Sequence, residues 1–207
     1  MRQQTLLKIM RLLRSELHKR ATILEISKKL GIGYRPAYNH ITSMENEKII
    51  KIERIGNAKS CVLNLDNAKC RRLLEEVDAQ KKEEIYKEHP KIKAVIESLI
   101  SKLTTEFMSD IHSIILFGSY AKGGATKTSD IDLLFIVTDL KNKALRESIE
   151  RESASYQYSH NLKVSPLLTD IKEFKKMLET EGLNVGKEAR NHGISLYGSE
   201  MFWRLVA

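Results

Sequence analysis

Cysteine and proline are scarce in this chain of 207 residues, which has 2 Cys, 3 Pro and 1 Trp. Cys61 and Cys70 have no metal-ligand spacing and no partner histidine, which argues against a cysteine-based metal site and favours packed or surface thiols in a reducing compartment. No apolar run approaches the roughly 18 residues of a membrane span, and no signal peptide is visible at the N-terminus. We therefore expect a cytoplasmic protein with no membrane partner.

Positive charge is concentrated in the N-terminal third of the chain. Residues 1–65 contain 13 Lys and Arg against 5 Asp and Glu, whereas the 22 basic and 22 acidic residues of the remainder cancel. The net charge of +8 therefore belongs to this segment. A localised basic surface attracts a polyanion, which favours a nucleic-acid partner. The alternative is a solvated basic face without a partner.

The basic segment carries two kinds of periodicity. Apolar residues first recur at helical spacing, with Gly31 as a stop signal and Pro36 placed in the first turn of a later helix. Two β-branched stretches then flank a turn at residues 56–59, as in a β-hairpin. The predicted elements are helices at residues 3–15, 22–30 and 36–47, and strands at residues 49–55 and 60–65.

Three helices followed by a hairpin resemble a winged helix-turn-helix domain, here over residues 1–67. That resemblance implies that the third helix reads DNA and that the hairpin, the wing, touches the DNA backbone. For Tyr38, packing within the helix is an equally weighted alternative. The residues implied to face DNA are Arg35, Tyr38, Asn39 and Ser43 on the helix, and Arg54 and Lys59 on the wing.

The rest of the chain predicts a connecting helix and a second domain. Residues 68–89 are charged and free of proline, too polar for a convincing coiled coil, so a homodimer through them is allowed but not indicated. Beyond Pro90 we expect a small mixed sheet flanked by helices, covered by the apolar tail that contains Trp203. The fold class is thus a two-domain α/β (α+β) protein. The predicted elements of residues 90–207 are helices at 90–107, 141–159, 170–178 and 185–191, and strands at 113–117, 130–137 and 161–168.

Two linked motifs join the first two of these strands. Gly118-Ser119-x-Ala121-x-Gly123 ends one buried strand, and Ser129-Asp130-x-Asp132 opens the next. Because side chains alternate along a strand, Asp130 and Asp132 share one face, where their repulsion makes best sense around a hard cation such as Mg²⁺. Gly118 allows a phosphate to approach the backbone, and Ser119 offers donors to its oxygens.

The joint spacing resembles the signature of the minimal nucleotidyltransferases (MNT) of the DNA polymerase β-like superfamily. The resemblance implies that Gly118 and Ser119 bind nucleotide phosphates and that Asp130 and Asp132 are catalytic and hold Mg²⁺. It also implies transfer of a nucleoside monophosphate from an NTP, with ATP expected, to a hydroxyl acceptor. Members of this family are often paired with a HEPN-domain toxin, which implies an antitoxin that also represses its own promoter. Further nucleotide-binding candidates beside the motif are Lys122, Ser129 and Lys127.

The third strand departs from the pattern of this family, which supplies a third carboxylate there. The positions expected to hold it carry Lys163 or Ser165, and the nearest acid, Asp170, is explained by a capping role with Glu173. Fewer oxygen ligands weaken a second metal site and remove a candidate base. The alternative function is therefore a transcriptional regulator whose degenerate transferase domain only binds nucleotide or a partner.

Overall fold

The structure is a computed structural model, and it describes residues 2–15, 17, 20–55 and 58–207. The chain divides into two compact units, one ending at Val77 and the other spanning Asp78–Val206. The division falls inside a long helix, so the domain limits placed at residues 67 and 89 stay predictions. Among the described residues, the helices are all too short or too polar to cross a bilayer.

The first unit contains the three helices and the hairpin that the sequence predicts. Its described strands form one antiparallel sheet in the order β1-β3-β2. The prediction missed β1, which has only two residues, and it began β3 too late, because Ala58 and Lys59 belong to the strand. Gly56 and Asn57, predicted at the turn, lie outside the described residues. The elements are α1 (Arg2–Ser15), β1 (Ala21–Thr22), α2 (Ile23–Leu30), α3 (Tyr34–Asn46), β2 (Ile50–Ile55) and β3 (Ala58–Leu63).

Local sequence signals set the ends of α2. The Thr22 hydroxyl accepts a hydrogen bond from the Glu25 N–H at 3.2 Å, and the Glu25 carboxylate accepts one from the Thr22 N–H at 2.7 Å, a reciprocal capping box. Gly31 ends the helix in the left-handed conformation, with φ 62°.

Both cysteines are free and buried, and burial raises the pKa of Cys61 to about 11 and that of Cys70 to about 12.

Helix α4 (Ala68–Glu88) connects the first unit to the second, whose strands form one sheet in the order β6-β5-β4-β7. Strands β5 and β6 run parallel and the other pairs antiparallel, which confirms a mixed sheet flanked by helices. Pro166 lies on the edge strand β6, as its missing N–H requires. The elements are α5 (Pro90–Phe107), β4 (Ile111–Phe117), α6 (Gly118–Lys122), β5 (Ile131–Val137), α7 (Lys143–His160), β6 (Val164–Asp170), α8 (Ile171–Glu179), α9 (Val185–His192), β7 (Ile194–Tyr197) and α10 (Ser199–Val206).

The two faces of this sheet have different neighbours. From β5, alternate residues beginning with Ile131 join the core built with α5 and α7. Asp132 therefore points to the opposite face, where α8, α9 and α10 pack. Phe174, Phe202 and Trp203 form an aromatic cluster there, with neighbouring ring centroids 6.1 Å and 5.1 Å apart.

The C-terminal segment differs in detail from the prediction. The tail with Trp203 does pack on the sheet, but as a helix, α10, after a fourth strand, β7, that the sequence did not predict. The Trp203 indole is fully buried and donates a hydrogen bond to Asp78 Oδ2 at 3.1 Å. Strand β6 starts and ends later than predicted, and Asp170 caps α8 by accepting from the Glu173 N–H at 2.7 Å.

Candidate active site

The centre of the site is the contact between the end of β4 and the start of β5. Phe117 and Asp132 are Cα partners in the antiparallel ladder, so the next residue, Gly118, turns directly over the Asp132 carboxylate. Gly118 has φ 69°, and a Cβ at this position would overlap Asp132 Oδ2 and lie 2.9 Å from its Cγ. Glycine is therefore favoured by the backbone conformation, and any larger residue would require the Asp132 side chain to move.

Asp130 is held by the neighbouring strand. Lys163 Nζ donates a hydrogen bond to Asp130 Oδ2 at 2.5 Å, and the Ser165 hydroxyl donates to the same oxygen at 3.1 Å. The backbone places these donors, because the Ile131 N–H binds the Lys163 carbonyl at 2.8 Å and Asp132 pairs with Ser165 in register. The two positions predicted to replace the third carboxylate thus both contact Asp130.

The two carboxylates have opposite electrostatic environments. The hydrogen bond from Lys163 lowers the pKa of Asp130 below its ordinary value, with a smaller contribution from Ser165. Burial raises the pKa of Asp132, and repulsion from Asp130 and Glu188 adds to the rise. Asp132 is therefore the carboxylate that gains more from a nearby cation.

Glu188 is a site residue that the sequence analysis missed. It lies on α9, forms an ion pair with Lys122 at 2.6 Å, and raises the pKa of Asp132 by repulsion. Lys122 lowers the pKa of Asp132 in turn, so this predicted nucleotide-binding residue does lie beside the carboxylates. Nothing in the local sequence of α9 marks Glu188, since its role depends on how α9 packs against α6 and β4.

The other residues predicted near the motif lie at different positions around the candidate site. Ser119 lies in α6 and is half-buried. The Ser129 hydroxyl accepts a hydrogen bond from the Thr126 N–H at 2.9 Å and so closes the loop before β5.

Lys127 lines a cavity of about 800 Å³ with His89, Tyr120 and Leu162, residues that lie toward the α5 and α7 side of the sheet. Asp170 lies at the far end of β6, paired with Val137, and so cannot act as the missing third carboxylate.

The metal-binding prediction rests on Asp130 and Asp132. Within the described ranges, no three His, Cys, Asp or Glu side chains gather in a metal-binding group. Two adjacent carboxylates nevertheless suit Mg²⁺, which takes one or two protein carboxylates and completes its shell with water and substrate phosphates. Burial, and then the repulsion from Asp130, raise the pKa of Asp132, and both indicate a place where a cation would be stabilised. The residues present therefore fit Mg²⁺.

The residues predicted to face DNA are all exposed in the first unit. Their spacing along α3 places the four helix residues in one stripe. The ring of Tyr38 stacks on that of Tyr34, an exposed residue not predicted, with centroids 6.3 Å apart. On the hairpin, Arg54 and Lys59 are Cα partners. The exposed predicted residues are Arg35, Tyr38, Asn39, Ser43, Arg54 and Lys59.

Residues 96–184 match the family model described as "Nucleotidyltransferase domain". This segment, which is less than half of the chain, is similar to a nucleotidyltransferase domain. It runs from within α5 to the start of α9 and contains Gly118, Asp130 and Asp132, whereas Glu188 lies just beyond it.

Similar proteins occur in Methanocaldococcus jannaschii. "Putative protein adenylyltransferase MJ1305" is 33% identical over 81 residues, 38% of this chain and 55% of that protein, so the chain spans about half the length of this relative. "Putative protein adenylyltransferase MJ0141" is 24% identical over 102 residues, 49% of this chain and 95% of that protein. A crystal structure of a toxin-antitoxin with AMP-PNP is 21% identical, with a TM-score of 0.34 over 53% of this chain and 82% of that one, a likeness that carries no argument.

Replacing Gly118 with alanine should displace the Asp132 side chain, because the new Cβ and the carboxylate cannot occupy the same space. We expect the rise in melting temperature on adding Mg²⁺ and ATP to disappear in Gly118→Ala. Gly123→Ala is the matched control, since Gly123 has a similar φ of 75° and open space around it. Both variants bear a backbone penalty of about 1–2 kcal/mol. An equal ligand-induced shift in the two variants would contradict the steric argument.

The metal-free protein should protonate Asp132 before Asp130 as the pH falls. Burial and repulsion raise the pKa of Asp132, whereas Lys163 lowers that of Asp130. In Lys163→Met the pKa of Asp130 should rise, because its main stabilising partner is lost. Carboxyl-carbon NMR titration measures both groups. Titration of Asp130 above Asp132 in the unchanged protein would contradict the assignment.

Proposed function

We propose that the second unit is a Mg²⁺-dependent nucleotidyltransferase that moves a nucleoside monophosphate from an NTP to a hydroxyl acceptor. The observation that carries the proposal is the turn at Gly118, which brings a backbone suited to phosphate directly against the Asp132 carboxylate. A structural turn alone does not require this contact, because a glycine with positive φ is satisfied in open space, as at Gly123.

In the proposed reaction, the acceptor oxygen attacks the α-phosphorus and the bond to the leaving pyrophosphate breaks. Gly118 and Ser119 position the phosphates, while Lys122 adds positive charge beside them. Asp130 and Asp132 would hold Mg²⁺, which would supply positive charge against the triphosphate and so favour in-line attack. The proton of the acceptor hydroxyl leaves to solvent or to a carboxylate of the site.

Adenylate transfer to a protein acceptor is the more specific form of this proposal. Its support is the names of the archaeal relatives, which specify adenylyl transfer and a protein substrate. ATP is then the nucleotide. Because the match to the first relative covers 55% of its length, the acceptor is proposed from the shared domain and not from the whole protein.

We further propose that the first unit binds DNA as a winged helix-turn-helix domain. The support is the net charge of +8 over residues 1–65 and the exposed stripe on α3. Asn39 and Arg35 carry groups that can bind base edges, and Arg54 with Lys59 places two cations on the hairpin near the phosphates. A HEPN-type toxin encoded nearby is the proposed acceptor and partner, on the sequence resemblance alone.

A second candidate is a transcriptional regulator whose transferase domain senses nucleotide without catalysis. Two observations favour it. Ser165 pairs with Asp132 where a third carboxylate is expected, and Lys163 already binds Asp130. In this version ATP changes the affinity of the first unit for DNA and no covalent product forms. The intact carboxylate pair and the Gly118 turn favour the enzyme.

The enzyme hypothesis predicts metal-dependent labelling of a protein. The chain is incubated with Mg²⁺ and each α-³²P-labelled NTP, alone and with the product of the neighbouring gene, and run on a denaturing gel. We expect a labelled band with ATP, and we expect this band to be lost in the double variant that carries both Asp130→Asn and Asp132→Asn. DNA binding by that variant should be unchanged, since the substitutions lie in the second unit. Absence of label with ATP binding retained, and an ATP-dependent change in DNA affinity, would support the regulator instead.

The DNA hypothesis predicts different effects from two parts of the first unit. Asn39→Ala should cost about 1–3 kcal/mol of binding and relax sequence preference, as expected for a base contact. Lys59→Ala should weaken binding to all sequences and reduce the dependence of log affinity on log salt by about one unit. Lys143→Ala, an exposed site in the second unit, is the control. Equal effects of the three substitutions in a fluorescence-anisotropy titration would contradict the assignment.

A further inference from the structure

Lys163 and Asp130 form an ion pair within the proposed nucleotidyltransferase site. Lys163 Nζ lies 2.5 Å from Asp130 Oδ2, and Ser165 occupies the same oxygen at 3.1 Å. An oxygen that accepts two hydrogen bonds from the protein has little capacity left for a cation. The pair therefore competes with a cation for Asp130 Oδ2 and leaves the second oxygen of Asp130 and the Asp132 carboxylate to bind one.

The position of the ammonium follows from the sheet and not from a mobile loop. The Lys163 carbonyl accepts from the Ile131 N–H at 2.8 Å, directly beside Asp130, and the next residue, Val164, pairs with Ile131 in the parallel ladder. Ser165 on β6 pairs with Asp132 and shares its face of the sheet, and Lys163, two residues earlier and just before the strand, follows the same alternation. The lysine thus reaches Asp130 from a fixed backbone position.

The charges around the site favour one divalent ion over two. The negative groups are Asp130, Asp132 and Glu188, and the positive groups are Lys122 and Lys163, which leaves a net charge of −1. Before the triphosphate binds, one Mg²⁺ takes this charge to +1 and a second takes it to +3, and Lys163 and Ser165 offer no carboxylate to bind the second ion. Two-metal phosphoryl-transfer sites use the second ion to stabilise oxygens at the reacting centre.

We infer that Lys163 takes the place of one of the two metal ions, so that this site holds a single divalent cation, centred on Asp132, with the lysine ammonium as its fixed second charge. This inference rests on the proposed function, since it concerns the cation that accompanies the nucleotide. It also explains why a lysine is tolerated beside Asp130. Lys163 is a positioning residue, because it contacts Asp130 and not the reacting atoms.

The test counts metal ions. The full chain is titrated with Mn²⁺, alone and with the α,β-methylene analogue of ATP, and free Mn²⁺ is followed by electron paramagnetic resonance. A bound Mn²⁺ ion is counted at the candidate site only if its binding is lost in Asp132→Asn. We expect one site per chain in the unchanged protein and two in Lys163→Met, or a single site about fivefold tighter, since removal of a neighbouring cation favours metal binding. Lys163→Arg should keep one site, and Lys143→Met controls for net charge.

Failure of the inference about Lys163 can be distinguished from failure of the proposed function. Two sites of similar affinity in the unchanged protein, or a Lys163→Met variant identical to it, would overturn the inference about Lys163 and leave the nucleotidyltransferase proposal intact. Mn²⁺ binding that Asp132→Asn does not change would overturn both. Lys163 is mostly exposed, with 63% of its side chain accessible, so these variants should fold, and circular dichroism melting checks that they do.

Discussion

The site depends on one backbone constraint, the pairing of Phe117 with Asp132 across β4 and β5. This register puts the residue after β4 directly over a carboxylate, so that any side chain larger than that of glycine would displace the carboxylate. The turn at Gly118 then starts α6, which carries Lys122 toward Glu188 on α9. A change of one residue in this register would move Asp132 to the other face of the sheet, among the apolar side chains packed on α5 and α7.

The same strand order gives different surroundings to two carboxylates that lie only two residues apart in the sequence. Asp130 accepts hydrogen bonds from Lys163 and from Ser165 on β6 and stays readily ionised, whereas Asp132 is partly buried and repelled by Asp130 and Glu188, so it gains more from a cation. The chain thus has an aspartate pair that resembles that of the minimal nucleotidyltransferases, with an ammonium and a hydroxyl where the resemblance implies a third acid. This substitution is the physical reason that both an enzyme and a nucleotide sensor remain reasonable functions.

The sequence predicted the parts of the site that are local in the chain or aligned by one strand pair. Turn chemistry and strand alternation point to Gly118, Asp130 and Asp132, whereas the gap at Lys163 and Ser165 follows from the resemblance to the minimal nucleotidyltransferases. Glu188 could not be predicted, because only the packing of α9 against α6 and β4 brings it near Asp132. Strand β7 was missed because its four residues follow a short helix and give little periodicity, and the true start of β3 was hidden by turn-forming residues before it.

The central claim is that the Gly118 turn and the Asp130–Asp132 pair together bind a metal-nucleotide complex. Its most direct test is a crystal structure of the full chain with Mn²⁺ and the α,β-methylene analogue of ATP, with Mn²⁺ located by anomalous scattering. The account predicts an anomalous peak at Asp132 and a triphosphate against Gly118 and Ser119. A nucleotide bound instead in the cavity lined by His89 and Tyr120, with no peak at Asp132, would contradict it.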